Sequence, residues 1–366
     1  MKPFFLLLAP SRASASAEII SHEDTKERSN PGDLPKRLGS CGRWERVLAA
    51  LLVMTAPRIS RAADEAHPPV TQEQVEHWMD EVSNWGRWGK DDQLGSLNLI
   101  DDAKRRAAAM LVKEGVCISM SHRLETQAAA DNDAPFVHDM LLKEPPSGPF
   151  YFDRFSVAYH SMVHTHLDAL CHMFHRGVMY NGVPRTEVTK SGAAKLSVEL
   201  AKSGLFTRAI LLDVPRLRGV DYLEPGTPIY PADLDACLAK AGLATKPGDA
   251  ILVRTGRWKR RGEKGPWNGL FAGLHASCGP WLHAHDVAIL GSDAAADVMP
   301  SRIPGEDMPI HQMALVAMGI WILDACDFEA VSEKAAKAGR WEFLLTAAPL
   351  VASGGTGSPI NPIATF

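Results

Sequence analysis

The 366-residue chain has no Cys-x-x-Cys pair, no Gly-x-Ser-x-Gly element and no excess of basic side chains. It also lacks any uninterrupted apolar run of the roughly 20 residues needed to cross a bilayer. Each absence removes a class of function. Six cysteines (Cys41, Cys117, Cys171, Cys237, Cys278, Cys326) are scattered, and only five lie beyond the N-terminal region. That odd number without motif spacing argues against a disulfide framework and against a closed structural zinc site. The missing nucleophile elbow argues against a serine nucleophile. Lys plus Arg number 39 against 43 Asp plus Glu. Residues 1–63 hold ten basic and six acidic side chains, leaving 29 basic and 37 acidic in the body. A body of that sign lacks the electrostatic footprint of a nucleic-acid binder.

What the chain does have is histidine, concentrated in one place. Five of its fourteen His fall between Tyr159 and His175, in YHSMVHTHLDALCHMFH. Read as an extended segment, alternation puts His160, Met162, His164, His166 and Asp168 on one face. His172 rejoins them if the chain turns after Asp168. Imidazole with carboxylate suits Zn, Mn or Fe(II). A structural reading, in which the rings satisfy one another in the core, is weaker, because unpaired buried imidazoles are costly. Cys171 packs as a small apolar residue by the same alternation.

The N-terminus is set apart from the fold. Phe4 to Ala9 followed by Ala13-Ser14-Ala15 reads as a short secretory signal. A better one runs from Arg43-Trp44-Glu45-Arg46 through Val47 to Thr55 to Ser60-Arg61-Ala62-Ala63. Ser21 to Ser40 between them is polar, with nothing to bury. Residues 1–66 are therefore expected to be a leader outside the fold, with translation starting near the second signal or the extension arising from start-codon choice. Residues 67–366 are expected to form the domain. The corresponding location is periplasmic or secreted; the alternative is a leader on a cytoplasmic enzyme.

Along the body, Thr71-Gln72-Glu73-Gln74 starts a helix through Val82, and a second helix spans about Asp101 to Lys113. Between them lies a Gly- and Trp-punctuated loop whose Trp85 and Trp88 either anchor packing or line a pocket for a flat substrate. Strands are predicted at Val116 to Ser121, Ala209 to Val214, Ala250 to Arg254, Val287 to Asp293 and Ile320 to Asp324. Helices are predicted at Ser197 to Ser203, Pro231 to Gly242 and Pro309 to Met318. Asp131 to Gly148 reads as a long polar loop, a lid or an oligomer contact. Asp293 and Asp324 stand at strand ends, where α/β proteins place site residues; for Asp293 a turn-capping role is equally consistent. Strands alternating with helices make the chain α/β, a single compact domain with a mixed β-sheet and flanking helices.

Taken together, GRWGKDDQLGSLNLI (86–100), HTHLDALCH (164–172) with MYNG (179–182), LGSD (290–293) and PIHQMALVAMGIWILDACDFEAV (309–331) resemble the cyclase-like metal-dependent hydrolases, the family of bacterial kynurenine formamidase and isatin hydrolase. The resemblance runs from about Trp85 to Phe366, and GGTGSPINPIATF (354–366) matches the end of one branch. It implies a swivelling β/β/α fold, one or two Zn or Mn ions, a homodimer or homotetramer and a small-molecule substrate. The family signature, His-x-Gly-Thr-His-x-Asp with a further His after three residues, matches at Thr165, His166, Asp168 and His172. Its first His falls at Met162 and its Gly at His164. A thioether is a poor ligand for a hard cation, so His164 or His160 is expected to supply the missing imidazole. The family's later ligands fall at His311 and, with one extra residue between, Asp324.

The implied activity is hydrolysis of a C–N bond in a formamide or small cyclic amide, with His172 or Asp168 moving the proton. Trp85, Trp88 and Phe174 would suit an aromatic substrate, or simply fill the core. The alternatives are a metal-dependent lyase, dehydratase or lactonase, and a binding protein whose metal site has decayed.

Overall fold

Burial of long apolar runs organises the molecule around one sheet. The computed structural model describes residues 68–142 and 148–366, so the signal-like segments lie outside the described residues. Nine strands pair in the main sheet: β1 (Cys117–Ser119), β2 (His166–Asp168), β3 (Leu205–Asp213), β4 (Ala250–Arg254), β5 (Ile289–Ser292), β6 (Trp321–Asp324), β7 (Glu342–Ala347), β8 (Gly357–Pro359) and β9 (Ile363–Thr365). Their order across the sheet is β1-β9-β7-β3-β4-β5-β6-β2-β8. The centre, β3 to β6, is parallel, and antiparallel strands flank it on both sides. Sequence and burial agree here. Every residue of β4, β5 and β6 is buried, as expected for parallel strands covered on both faces.

The ends of the helices follow local chemistry. The first helix, Gln72–Glu81, is capped by Thr71, whose hydroxyl accepts from the Gln74 amide at 3.2 Å. Asp101 caps Asp102–Ala109 in the same way, 2.7 Å from the Lys104 amide. Pro231–Ala241 begins on Pro231 and closes on a left-handed Gly242. Pro309 to Met318 is helical but not uniform: after one turn at Pro309–His311 the backbone widens to a π-helix over Gln312–Met318. Such bulges are often found at functional sites.

Two expectations change. The segment from Asp131 to Gly148 is not all loop, because Val137–Met140 pairs antiparallel with Asp153–Ser156 as a separate two-stranded hairpin. The His-rich stretch is extended only at His166–Asp168, held between β6 and β8; residues 160–164 bend. Alternation therefore stops before His166. The helices Arg257–Lys264 and Glu329–Ala338 and the strands β7, β8 and β9 complete the fold without having been assigned from sequence.

Candidate metal centre

Strand pairing brings the first three side chains together. In the antiparallel β2–β6 pair His166 lies opposite Asp324, and Asp168, two residues on, shares its face. His311, on the turn that enters the π-helix, approaches from above. Its Nε2 is 3.1 Å from Asp324 Oδ2 and 3.8 Å from Asp168 Oδ2. On the other side, Asp168 Oδ1 faces His160 Nδ1 at 2.9 Å, His166 Nε2 at 3.4 Å and His172 Nε2 at 4.0 Å. His160 and His172 stack, ring centroids 4.0 Å apart.

The cluster is graded from base to mouth. Asp168 is 1% exposed at its base, whereas the side chains of His160 and His172 are each 28% exposed.

Two groups of ligand atoms each lie within 4.8 Å of one another: His160, Asp168 and His172, and His166, Asp168 and Asp324. Asp168 belongs to both. Although ringed by nitrogens, neither Asp168 oxygen receives a well-aligned hydrogen bond, nor does Asp324 Oδ1, and all three atoms are buried. Buried carboxylate oxygens left bare are expensive. Ligand atoms held 2.0–2.2 Å from a common ion lie roughly 3–4 Å apart, the spacing seen here. The donor set, carboxylate and imidazole without thiolate, fits a divalent Zn- or Mn-type ion.

The surroundings set the ring tautomers. His166 Nδ1–H donates to the His164 carbonyl at 2.7 Å, which leaves Nε2 with its lone pair toward Asp168. Asp297 likewise holds His311 through Nδ1 and turns its Nε2 toward Asp324. One of its oxygens takes the His311 Nδ1–H at 2.6 Å and the His311 amide at 3.1 Å, and the other takes the Ile310 amide at 2.7 Å. His160 Nε2 meets Thr356 Oγ1 at 3.0 Å.

Electrostatics follow from burial and neighbours. Burial alone would raise Asp168, but His166, His172 and His160 outweigh it and hold the carboxyl below the usual range. Burial lowers His172 to about 4 against the pull of Asp168. Burial raises Asp324; for His311 it opposes the charge, but Asp324 and Asp297 prevail and raise the imidazole well above its ordinary value.

Of the residues singled out from sequence, six converge: His160, His166, Asp168, His172, His311 and Asp324. His164 belongs to neither group. Its Nδ1 turns to the Ala158 carbonyl and Ser161 hydroxyl, each at 3.3 Å, because the chain bends where extended alternation had been assumed. Asp293 is fully engaged as a turn cap, accepting from the amides of Thr255, Gly256 and Arg257 and from the Thr255 hydroxyl.

The three aromatics make their contacts elsewhere. Trp85 donates to the Val316 carbonyl at 2.7 Å and lines a cavity of about 340 Å³ with Glu76, Met79 and His175. Arg87 lies over Trp88, and Arg185 over Phe174. None of these contacts involves a residue of the cluster.

Sequence reasoning missed Asp297, whose one signal was a lone acid in a run of small apolar residues, Ala294-Ala295-Ala296. It also missed Arg257, which is 2% exposed. Arg257 joins the Met162 carbonyl to Asp131 and so pins the loop that delivers His160.

A family model, Cyclase, matches residues 77–297. The chain belongs to the Cyclase family. The crystal structure of a novel cyclase is 30% identical to it, with TM-score 0.72 over 79% of this chain and 99% of that one. Isatin hydrolase A from Ralstonia solanacearum is 20% identical, with TM-score 0.50 over 68% of this chain and 91% of that one. Isatin hydrolase A from Labrenzia aggregata, bound to benzyl benzoate, is 18% identical, with TM-score 0.52 over 71% and 96%. At those identities the isatin hydrolases share the fold of this cyclase-family chain. No curated protein matches it. Among the described residues no helix is long and apolar enough to cross a membrane.

Proposed function

We propose that this cyclase-family protein is a metal-dependent hydrolase that cleaves an amide C–N bond, in a formamide or a small cyclic amide. The observation that carries the reading is the bare carboxylate of Asp168, buried and shared between two groups of imidazole and carboxylate ligands. His160, His166, Asp168, His172, His311 and Asp324 would hold one or two Zn or Mn ions. When bound, such an ion polarises a carbonyl and makes water acidic enough to deprotonate near neutral pH.

The chain's own residues do the rest. Asp168 and Asp324, at the base, hold negative charge and stay out of contact with solvent. Asp297 and the His164 carbonyl fix the tautomers of His311 and His166, so that both present Nε2 to the centre. His172 stands at the open side and is neutral at ordinary pH; with a single ion on His166, Asp168, His311 and Asp324, its Nε2 stays free to take a proton from water and return it to the leaving nitrogen. Asp168 is too enclosed to shuttle a proton to substrate. His160 supports the departure from the family signature: it occupies the open side where Met162 offers only a thioether. That substitution weakens the reading of a decayed binding protein.

The relationship to isatin hydrolases favours aromatic N-formyl amines and small lactams as first substrates. Incubation in ¹⁸O-water is the test. One ¹⁸O in the carboxylate product supports hydrolysis, whereas turnover without ¹⁸O means a lyase. We further propose that residues 67–366 form the catalytic unit and that residues 1–66 are a leader to the periplasm. N-terminal sequencing of protein from its native host refutes the leader if residues before Val47 persist.

A further inference from the structure

A strand near the C-terminus closes on the ligand cluster from outside the His-rich stretch. In the antiparallel pair of β8 with β2, Gly357 lies opposite Asp168, and the Ala169 amide donates to the Thr356 carbonyl at 3.0 Å. His160 reaches the same place from the bend before β2. One face of its ring stacks on His172, and its Cε1–Nε2 edge abuts β8. A Cβ built on Gly357 would meet the Leu167 carbonyl at 2.5 Å, His160 Cε1 at 2.8 Å and His160 Nε2 at 3.2 Å. The backbone of Gly357 is not left-handed, so it is the close approach of these neighbours, the imidazole among them, that calls for glycine.

The directions of the hydrogen bonds around this ring decide which nitrogen carries its hydrogen. The Tyr159 phenol spends its one hydrogen on the Gly357 carbonyl, at 2.9 Å, so its oxygen is left only to accept. The Thr356 hydroxyl hydrogen-bonds to the Tyr159 side chain and therefore donates there. With its hydrogen committed, Thr356 Oγ1 accepts at its second contact, from His160 Nε2–H at 3.0 Å. A neutral His160 then carries no hydrogen on Nδ1. That atom faces Asp168 Oδ1 at 2.9 Å, a lone pair against a carboxylate, and the contact repels until a positive charge joins the two. His166, His172 and His311 all face Asp168 through Nε2. His160 differs from them in presenting Nδ1.

We propose that Thr356 is a positioning residue, which holds His160 in the space Gly357 leaves, with Nδ1 as its metal-binding atom. The strand β8 thereby furnishes the imidazole that Met162 does not. The inference rests on the metal-centre reading above and is independent of the substrate.

Zn affinity of the full chain, measured by competition with a chromophoric chelator, tests it. The variants are Thr356→Val, Thr356→Ser, His160→Ala, and Thr356→Val combined with His160→Ala, each checked for folding by circular dichroism. Valine keeps the shape of threonine and removes the hydroxyl, and loss of an outer partner of this kind should weaken Zn binding by about 10–100-fold. Serine should restore native affinity. In the His160→Ala background Thr356→Val should cost nothing further, because the two residues act as a unit.

Histidine ¹⁵N NMR of the native, Zn-loaded chain gives a readout that does not require the Thr356 variants to fold. The resonances absent from His160→Ala should be those of a ring with metal on Nδ1 and hydrogen on Nε2. A folded Thr356→Val protein with native Zn affinity overturns the proposal. So does an equal loss of affinity with His160 already replaced, or a His160 ring that keeps its hydrogen on Nδ1 in the loaded chain. Any of these beside normal Zn binding by the native chain removes the positioning role alone; a native chain that binds no Zn overturns the metal centre and the proposal together.

Discussion

Asp297→Asn isolates the role of one residue that never touches the candidate ion. The carboxylate accepts three hydrogen bonds through two oxygens: the Ile310 amide on one, and the His311 amide and Nδ1–H on the other. An amide has only one oxygen to offer. If it faces His311, its NH₂ meets the Ile310 amide and the turn loses its cap. If it faces Ile310, the NH₂ meets the ring and drives the proton from Nδ1 to Nε2, the atom that points at Asp168 and Asp324. Loss of an outer partner of this kind weakens metal binding by about 10–100-fold, or about 1.4–2.8 kcal/mol. The assay is competition for Zn or Mn against a chromophoric chelator, with circular dichroism as a check on folding. An affinity equal to that of the native chain in a folded Asp297→Asn protein would refute the reasoning, since it would mean that the His311 tautomer does not matter.

Three further outcomes are expected. Arg257→Met removes the buried guanidinium that joins Asp131 to the Met162 carbonyl; with Arg261 still on Asp131, chemical denaturation should show a loss of about 3 kcal/mol. Gly95→Ala places a methyl group against the Gly319 carbonyl on a backbone at φ +59°, and should cost about 2–4 kcal/mol in the same assay; an unchanged midpoint would contradict the close approach. Chelation of protein loaded to about a thousand times its metal dissociation constant should lower the melting temperature on the order of 10 °C, and an unchanged melting curve would argue that the ligand cluster does not stabilise the fold through metal.

How much of this was legible in the sequence depended on the range of the interaction. Signals carried by a few adjacent residues survived: Thr71 and Asp101 as helix caps, Pro231 and Gly242 as helix ends, and Ala250 to Arg254 as a buried strand. The candidate ligands were legible too, because His166 and Asp168 sit two apart on a true strand. Their relation to His160 was reached for the wrong reason. His160 and His164 were placed by alternation, yet the chain bends from residue 160 to 164, so His160 joins the cluster and His164 turns away. Pairings across long separations left no local trace. Nothing around Asp131 or Arg257 announces that they would meet, and Asp297 looks like any turn acid until His311 closes on it. The hairpin at Val137–Met140 was hidden because its strands are exposed and so lack the apolar alternation that marks a half-buried strand.

The central claim is that Asp168 and its neighbours form a metal centre, and metal content per chain, by mass spectrometry on protein purified without chelator, tests it most directly. The account expects one to two equivalents of Zn or Mn in the native chain. It expects their loss in His166→Ala and Asp168→Ala, a reduced content in His160→Ala, and retention in a folded His164→Ala. A native chain that stays free of metal after reconstitution would contradict the account, as would Asp168→Ala protein that binds as much metal as the native chain.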